Sequence, residues 1–299
     1  MKYLQFIFIL FLITACSGTK HIVEGTPKTT QETKKVNDSI IDVIQINTEV
    51  IERKQTDSLK IDDVVIENTD VTTNKTPITE HDTTLETFNH SSWNTLLKKY
   101  VSNTGHVNYK GFKTNRNDLL NYITSLSKNT PTASWSKEEK LAYWINAYNA
   151  MTVDLILRHY PVKSIKDIKN PWDQRFWKLG DKWYNLNEIE HDILRKMNEP
   201  RIHFGIVCAS FSCPKLLNEA FTASNLEDQL TEVTKGFLAD SERNIISENN
   251  IQISKIFNWF AKDFKQNGSL IDFLNQYSTI KISAKAKKTF KDYNWGLNE

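Results

Sequence analysis

The distribution of aromatic residues along this 299-residue chain constrains its fold more than any other feature. No Phe, Tyr or Trp occurs between Cys16 and Leu85, whereas all eight Trp lie at or beyond Trp93. A segment without large apolar side chains cannot bury enough surface to offset the entropy that it loses on folding. We therefore predict that residues 16–87 form a disordered stalk and that residues 88–299 form one globular domain, which is long enough for a substantial core.

The charge changes sign at the same boundary. Residues 17–87 carry 8 Lys/Arg and 14 Asp/Glu, whereas residues 88–299 carry 29 and 22, so an acidic stalk precedes a mildly basic domain. Two strand-like stretches, Ser39–Ile46 and Val64–Ile66, leave transient β-structure as the alternative to disorder in the stalk. The basic residues of the domain are not concentrated in one patch, so no nucleic acid partner is expected.

The N-terminus has the organisation of an export signal. Lys2 precedes an apolar run at residues 4–13 that is too short to span a bilayer as a permanent helix. The tetrad Ile13-Thr14-Ala15-Cys16 resembles the bacterial lipobox, in which the signal is cut before the cysteine and the new N-terminus is acylated. We predict a signal peptide at residues 1–15 and lipidation at Cys16, with membrane lipid as the partner that anchors the protein at the bacterial cell envelope, in the periplasm or on the cell surface. An ordinary signal peptide or a short membrane anchor is the alternative.

Hydrophobic periodicity predicts a mixture of helices and hairpins in the domain. The strongest helix is expected from Ser136 to about His159, with a capping box between Ser136 and Glu139 and a stop at Pro161. Further helices are predicted at Ser92–Tyr100, Leu119–Leu126, Glu188–Met197 (capped by Asn187), Leu226–Leu238, Phe257–Phe264 and Leu270–Tyr277. Hairpins are predicted at Phe176–Leu186 and Ile245–Ile253, a strand at Gly105–Tyr109, and a buried central strand at Ile202–Cys208. Because regular βαβ alternation is missing from the pattern, we expect a single compact α+β domain.

Four local motifs follow one another through this domain. They are YWINAYNA at 143–150, IEHDILR at 189–195, RIHFGIVCASFSCP at 201–214 and YNWGLN at 293–298. Together they resemble the family called domain of unknown function 547, which occurs in bacterial exported proteins and in some plant proteins. The resemblance implies one domain over nearly all of residues 88–299, and no activity is established for that family. Its usual C-terminal motif has Asp where this chain has Asn294, a difference that we expect to affect packing more than an active site.

Cys208 is the candidate nucleophile, because it is predicted at the end of the buried strand, where the chain turns into a Ser-rich loop. A nucleophilic thiol needs a neighbouring base, and the base needs a group that orients it. We predict His191 as the base, oriented by Glu190 or by an asparagine such as Asn146 or Asn149. This composition is similar to that of papain-like hydrolases, but the residue order differs, so the comparison is an analogy.

Four further residues are predicted to bind a ligand, namely His203, Asn149, Ser210 and Arg195. His203 precedes Cys208 by five positions on the predicted strand, so side-chain alternation places the two on opposite faces and argues against direct pairing. The structural alternatives are that His203 bonds to backbone in the core and that Asn146 and Asn149 bond to loop carbonyls.

Two functions remain open. The first is a cysteine-dependent hydrolase or transferase that acts on amide bonds in the cell envelope. The second is a non-catalytic module with a Cys208–Cys213 disulfide, in which an aromatic cleft with residues from 172–184 binds a peptide or glycan. The C-x4-C spacing argues against a thiol redox protein, because redox pairs are usually closer in sequence. No metal or cofactor is predicted, since the sequence has neither a metal-ligand cluster nor a Gly-rich phosphate loop.

Overall fold

The computed structural model of the protein describes residues 88–299. The predicted signal peptide, lipidation site and stalk lie outside the described residues. The described part combines nine α-helices with one two-stranded and one three-stranded sheet, which confirms the predicted α+β class. Within this part, no helix is both long enough and apolar enough to cross a bilayer.

The helices and strands have the following bounds. The helices are α1 (Ser91–Tyr100), α2 (Tyr109–Thr114), α3 (Arg116–Lys128), α4 (Lys137–His159), α5 (Leu186–Glu188), α6 (Ile202–Gly205), α7 (Leu226–Ala239), α8 (Ile256–Trp259) and α9 (Leu270–Tyr277). The strands are β1 (Trp177–Leu179), β2 (Lys182–Tyr184), β3 (Ile245–Ile246), β4 (Asn250–Ile253) and β5 (Lys287–Phe290). Strands β1 and β2 form an antiparallel hairpin, and β4 pairs antiparallel with β3 and parallel with β5. Both predicted hairpins are thereby confirmed.

Helix α4 runs through the core, and every residue from Leu141 to Leu157 is buried. Its N-terminus has the predicted capping box. Ser136 Oγ accepts the Glu139 N–H at 3.1 Å, and the Glu139 carboxylate accepts the Ser136 N–H at 2.6 Å. These two bonds satisfy amide groups that the first turn of a helix leaves unpaired.

The one carboxylate that is fully buried on α4 is neutralised by its neighbours. Asp154 accepts hydrogen bonds from Arg116 at 2.7 Å, from Arg158 at 2.8 Å and from the Trp177 indole at 2.8 Å. Burial of an unpaired carboxylate would cost several kcal/mol, so these partners make the position tolerable. They also tie α3 and β1 to α4, which gives Asp154 a structural role.

The prediction of a buried central strand at Ile202–Cys208 is wrong. Residues 202–205 form α6, and Ile206 follows in an extended conformation without being part of a strand. A short apolar run fits a buried helical turn as well as a buried strand, so its composition could not decide. The Asn149 side chain replaces a neighbouring strand, because it donates to Gly205 O at 2.9 Å and accepts the Val207 N–H at 3.0 Å.

Three smaller predictions also differ from the structure, and one strand was not predicted. The predicted strand at Gly105–Tyr109 forms one isolated bridge, between Val101 and Val107, before α2 begins. Asn185, not Asn187, caps α5, and the chain continues into a π-helical turn at Ile189–Ile193 and a 3-10 turn at Leu194–Met197. The predicted helix at Phe257–Phe264 divides into α8 and a 3-10 turn at Asp263–Lys265. Strand β5 was not predicted, because its partner β4 is distant in sequence.

Candidate functional site

Four of the residues predicted to carry chemistry line one cleft, which has a volume of about 350 Å³. They are Glu190, His191, His203 and Cys208. Six aromatic side chains also line it, namely Tyr148, Trp172, Trp259, Phe260, Tyr293 and Trp295. The fold therefore brings together residues from α4, the π-helical turn, α6, α8 and the C-terminal segment.

The thiol of Cys208 has three polar neighbours. Its Sγ lies 3.0 Å from Ser210 Oγ, 3.3 Å from the Tyr293 hydroxyl and 2.8 Å from Cys213 Sγ. Burial raises the pKa of Cys208, but hydrogen bonds from these three neighbours outweigh that effect and lower the pKa to about 7. Cys208 is also partly exposed. This thiol is therefore ionised more readily than an ordinary cysteine, and it lines the cleft.

The backbone turns sharply directly after Cys208. Ala209 has a φ of 57°, in the left-handed region that residues other than glycine rarely adopt. The C-terminal segment holds the turn, because Asn298 N–H donates to Ala209 O at 3.1 Å and Phe211 N–H donates to Gly296 O at 2.6 Å. Strain of this kind persists only where surrounding structure imposes it, and it is common at functional sites.

Asn294 lies in the same C-terminal segment. Its Oδ1 accepts the N–H of Gly296 at 2.8 Å, a bond that the Asp of the usual motif would also accept. The difference from the motif therefore affects a local turn. Tyr293, the residue before it, is the one that reaches the thiol of Cys208.

Cys213 supports Cys208 from the buried side of the loop. Both cysteines are free, so the disulfide that the sequence left open is not formed in this structure. Burial raises the pKa of Cys213 well above its usual range, and the hydrogen bond with Cys208 adds to this shift. Cys213 therefore stays protonated and can donate to the Cys208 thiolate. In turn, the Cys208 N–H donates to Cys213 Sγ at 2.9 Å.

Glu190 lies on the π-helical turn, a rare conformation that is frequent at functional sites. Its buried carboxyl group accepts a hydrogen bond from the Tyr148 hydroxyl at 3.1 Å. Burial raises the pKa of Glu190 to about 7, even though the bond from Tyr148 lowers it. Within residues 88–299 no hydrogen bond joins Glu190 to His191, so Glu190 does not orient that ring. A carboxyl group that is half protonated near neutral pH is suited to general acid–base catalysis.

His191 is oriented by Arg195. Arg195 Nη1 lies 2.8 Å from His191 Nδ1. Because a guanidinium group can only donate, Nδ1 accepts this bond and the proton of the neutral ring lies on Nε2. Burial lowers the pKa of His191, and the positive charge of Arg195 lowers it further. At neutral pH, His191 is therefore a hydrogen-bond donor through Nε2 and has no free basic nitrogen.

Asp263, which the sequence did not indicate, joins the two histidines of the cleft. It accepts two hydrogen bonds from Arg195, at 2.6 and 2.9 Å, and lies 2.8 Å from His203 Nε2. Burial raises the pKa of Asp263, but the bonds from His203 and Arg195 hold it well below its usual range. These partners are 60 and 68 positions away, so no local pattern could have indicated the interaction.

The prediction that His203 and Cys208 lie on opposite faces of a strand is wrong. His203 belongs to α6, and both residues line the cleft. The His203 ring stacks on Phe260 with centroids 3.9 Å apart, and burial lowers the pKa of His203. Its Nε2–H donates to Asp263, so Nδ1 is the basic nitrogen of the neutral ring. In the described part of the chain, no hydrogen bond joins Cys208 to either His191 or His203.

The two asparagines of α4 bond to backbone. Asn146 Nδ2 donates to Phe221 O at 2.7 Å, and its Oδ1 accepts the Phe221 N–H at 3.0 Å. The structure does not bring Asn146 to the lining of the cleft. Asn149 holds the residues that lead to Cys208, so it fixes the approach to the thiol. Of the four residues predicted to bind a ligand, Ser210 contacts the thiol, whereas Arg195 acts on His191.

An aromatic wall bounds the cleft on the solvent side. Trp259 is 45% exposed and stacks on Trp295 with centroids 5.7 Å apart, and Trp172 meets Trp295 edge-on at 5.9 Å. Among the described lining residues, Trp172 is the one aromatic side chain from the cluster predicted at 172–184. Trp177 is buried in the core. No group of three or more His, Cys, Asp or Glu side chains within residues 88–299 is arranged to hold a metal ion.

The fold and the cleft define an α+β domain with a partly exposed, ionisable thiol. Residues 132–238 match the family described as "Protein of unknown function, DUF547". The match agrees with the resemblance drawn from the motifs and contains the residues Glu190, His191, His203, Cys208 and Cys213. Asp263 and Tyr293 come from beyond the matched segment and complete the site. No curated protein and no solved structure matched the chain.

Proposed function

We propose that the domain is a cysteine-dependent hydrolase or transferase that acts on amide bonds, with Cys208 as the nucleophile. One observation carries this proposal: the Cys208 thiol is free and partly exposed in a cleft, and its sulfur is within hydrogen-bond distance of Ser210, Tyr293 and Cys213. Structural cysteines are usually buried in apolar surroundings that keep the thiol protonated and inert. The three polar neighbours of Cys208 have the opposite effect, because they lower its pKa.

In the first half of the reaction, the Cys208 thiolate attacks the carbonyl carbon, and the carbonyl electron pair moves onto oxygen. The Nε2–H of His191 lines the same cleft and donates to that oxygen, a role that replaces the base predicted from the sequence. The C–N bond then breaks, and the protonated Glu190 carboxyl gives its proton to the leaving amine. The products are a thioester on Cys208, a free amine and a Glu190 carboxylate.

In the second half, the Glu190 carboxylate takes a proton from the attacking group. Water in this position gives hydrolysis, and an acceptor amine gives transfer. The C–S bond breaks as the new bond forms, so Cys208 returns to its thiolate and Glu190 to its carboxyl form. A pKa of about 7 allows Glu190 to exist in both forms near neutral pH, as this cycle requires.

The export signal predicted from the sequence supports the further proposal that this chemistry takes place at the bacterial cell envelope. Acyl chains on Cys16 would hold the protein on the membrane, facing the periplasm or the outside of the cell. A flexible segment of the length of residues 17–87 has a root-mean-square reach of roughly 45 Å. That reach would allow the domain to act on envelope peptides or glycopeptides at a distance from the lipid surface.

A non-catalytic binding module is the second candidate. The sulfurs of Cys208 and Cys213 are 2.8 Å apart, which favours a permanent bridge in an oxidising compartment. The wall formed by Trp259 and Trp295 is suited to a peptide or glycan ligand, because aromatic faces pack well against both. A bridged Cys208 would leave no nucleophile.

Acylation by an activated ester distinguishes the two candidates. The full chain is kept reduced, incubated with p-nitrophenyl acetate and digested, and the acetylated peptides are identified by mass spectrometry. We expect acetyl on Cys208, none at this site in Cys208→Ala, and slower loss of the acetyl group in Glu190→Gln. The same chain unfolded in guanidinium chloride gives the intrinsic reactivity of the thiol. A folded, reduced chain in which Cys208 acetylates no faster than in the unfolded control would contradict catalysis and favour the binding module.

A further inference from the structure

Cys208 and Cys213 differ in their surroundings, although their sulfur atoms are neighbours. Cys208 is partly exposed and its Sγ is near two hydroxyl groups, those of Ser210 and Tyr293. Cys213 also lines the cleft but is only 4% exposed. The sulfurs are 2.8 Å apart, and a disulfide has a sulfur–sulfur distance of about 2.05 Å, so bond formation requires an approach of less than about 1 Å.

We infer that the two cysteines form a reversible peroxide-reactive pair, in which Cys208 is oxidised first and Cys213 resolves the product. This activity is distinct from acyl transfer, and hydroperoxides are the class of oxidant that it requires. The C-x4-C spacing argued against redox chemistry in the sequence, but the loop brings the sulfurs together regardless of that spacing.

The first step is attack of the Cys208 thiolate on a hydroperoxide ROOH. The O–O bond breaks, sulfur gains OH and becomes a sulfenic acid, and the alkoxide RO⁻ leaves and takes a proton from solvent. In the second step, Cys213 sulfur attacks Cys208 sulfur, the S–O bond breaks, and the Cys213 proton leaves with the hydroxide as water. The net change is the oxidation of two thiols to a disulfide and the reduction of ROOH to ROH and water.

The surroundings fix this order. A thiol must be ionised and accessible to react with peroxide. Cys208 is partly exposed on the cleft lining, and its three polar neighbours favour the thiolate. Ser210 and Tyr293 can donate hydrogen bonds to the peroxide oxygens, since their hydroxyls already lie 3.0 and 3.3 Å from the attacking sulfur. Cys213 keeps its proton until the second step, in which that proton is needed for the departing hydroxide.

The loop that carries the pair is held in place. Arg243 Nε donates to Cys213 O at 2.9 Å, and its Nη2 donates to Phe211 O. The Cys208 N–H donates to Cys213 Sγ at 2.9 Å, which fixes the buried sulfur beside its partner. Because the two sulfurs are held side by side, Cys213 can react with the sulfenic acid on Cys208 before that group is oxidised further. Oxidation also consumes the proposed nucleophile, so a dithiol reductant would restore acyl transfer.

The test uses the reduced full chain, one equivalent of hydrogen peroxide and dimedone, which traps sulfenic acids. Peptides are identified by mass spectrometry with Cys16 resolved from the other two cysteines. We expect a Cys208–Cys213 cross-linked peptide from the wild type, which dithiothreitol converts back to free thiols. The Cys213→Ser variant should lose the cross-link and accumulate dimedone on Cys208. The Cys208→Ser variant should leave Cys213 reduced.

Three results would overturn the inference. They are a folded wild-type chain that stays reduced, dimedone on Cys213 in the Cys208→Ser variant, and a cross-link that dithiothreitol does not release. The acetylation assay on the reduced wild type is a separate measurement. If Cys208 is not acetylated but the cross-link forms, acyl transfer is refuted and the peroxide chemistry is retained. If Cys208 is acetylated normally but no cross-link forms, the peroxide chemistry is refuted and acyl transfer is retained.

Discussion

The hydroxyl of Tyr293 lies 3.3 Å from the sulfur of Cys208, although the two residues are 85 positions apart in the sequence. The last residues of the chain therefore take part in ionising the thiol. Because the bond stabilises the thiolate, Tyr293→Phe should raise the pKa of Cys208 from its value of about 7. Loss of one hydrogen bond corresponds to an increase of roughly one unit.

The measurement is the rate of iodoacetamide alkylation of Cys208 as a function of pH. In the wild type, the rate should be half-maximal near pH 7. For an ordinary cysteine, whose pKa is about 8.5, the rate is half-maximal near that higher pH. Tyr277→Phe is the matched control, because Tyr277 does not line the cleft. An equal midpoint in Tyr293→Phe and the wild type would show that the hydroxyl does not act on the thiol.

Glu190 should make the domain less stable as the pH rises. Its pKa is raised to about 7 in the folded state, so the folded protein holds this proton more tightly than the unfolded chain does. The contribution of Glu190 to the free energy of unfolding is fully present below the unfolded pKa of about 4.5 and is lost as the pH rises through about 7. Glu190→Gln removes this loss. Between about pH 5 and about pH 8, the free energy of unfolding of the variant should therefore rise relative to that of the wild type by up to about 3 kcal/mol.

Guanidinium chloride unfolding at the two pH values measures this difference. Glu188→Gln is the control, because Arg175 lowers the pKa of Glu188 and the group is ionised in the folded chain at both pH values. That variant should lose about the same stability at both pH values. A Glu190→Gln variant with the same pH dependence as the wild type would mean that the carboxyl group is ionised at little cost.

Asp263 should control the titration of His203. Its carboxylate favours the protonated form of the His203 ring, against the burial that lowers the pKa. Asp263→Asn removes this charge, so the pKa of His203 should fall further. The same variant should slow acetyl transfer, because Arg195 loses the partner that fixes it against His191.

NMR titration of the imidazole resonances reports the pKa of His203 directly. The exposed His106, which lies outside the cleft, serves as the internal reference. A purely structural role of Asp263 would lower stability without moving the His203 titration relative to His106. That result would exclude the positioning role.

The two asparagines of α4 should give different results. Asn146→Ala removes two buried hydrogen bonds to Phe221 and should destabilise the domain by about 2 kcal/mol, with no effect on the pH midpoint of Cys208 alkylation. Asn149→Ala should cause a similar loss of stability and should also shift the midpoint, because Asn149 fixes Val207 beside Cys208. A shifted midpoint in Asn146→Ala would return that residue to the candidate catalytic group.

Cys16→Ala tests the proposed envelope location. Without the cysteine, the chain cannot be acylated, so it should leave the membrane fraction or remain unprocessed. Metabolic labelling with a fatty acid analogue, followed by fractionation, measures both outcomes. Ser17→Ala is the control, because it changes the neighbouring residue without removing the acceptor. Equal labelling of Cys16→Ala and the wild type would contradict lipidation at this cysteine.

Much of the fold could be predicted because its signals are local. The capping box at Ser136 and Glu139 spans four residues, and the helical period of α4 is visible within one segment. The β1–β2 hairpin depends on its own turn at Gly180. Such features are encoded by residues that are close in sequence, so propensity and periodicity suffice to find them.

The composition of the site was decided by tertiary structure. The motifs indicated Cys208, Glu190 and His191, since these residues lie in segments that resemble one family. Asp263 has no local signature, and the motif that begins at Tyr293 did not indicate a contact with Cys208, because each of these residues acts on a partner at least 60 positions away. The apolar run before Cys208 fits a strand or a helical turn equally well, and only packing against Asn149 selected the turn. The sequence thus determined most of the elements, the central thiol and its two nearest polar neighbours, Ser210 and Cys213, while long-range packing brought Tyr293 to the thiol and assembled the cleft around it.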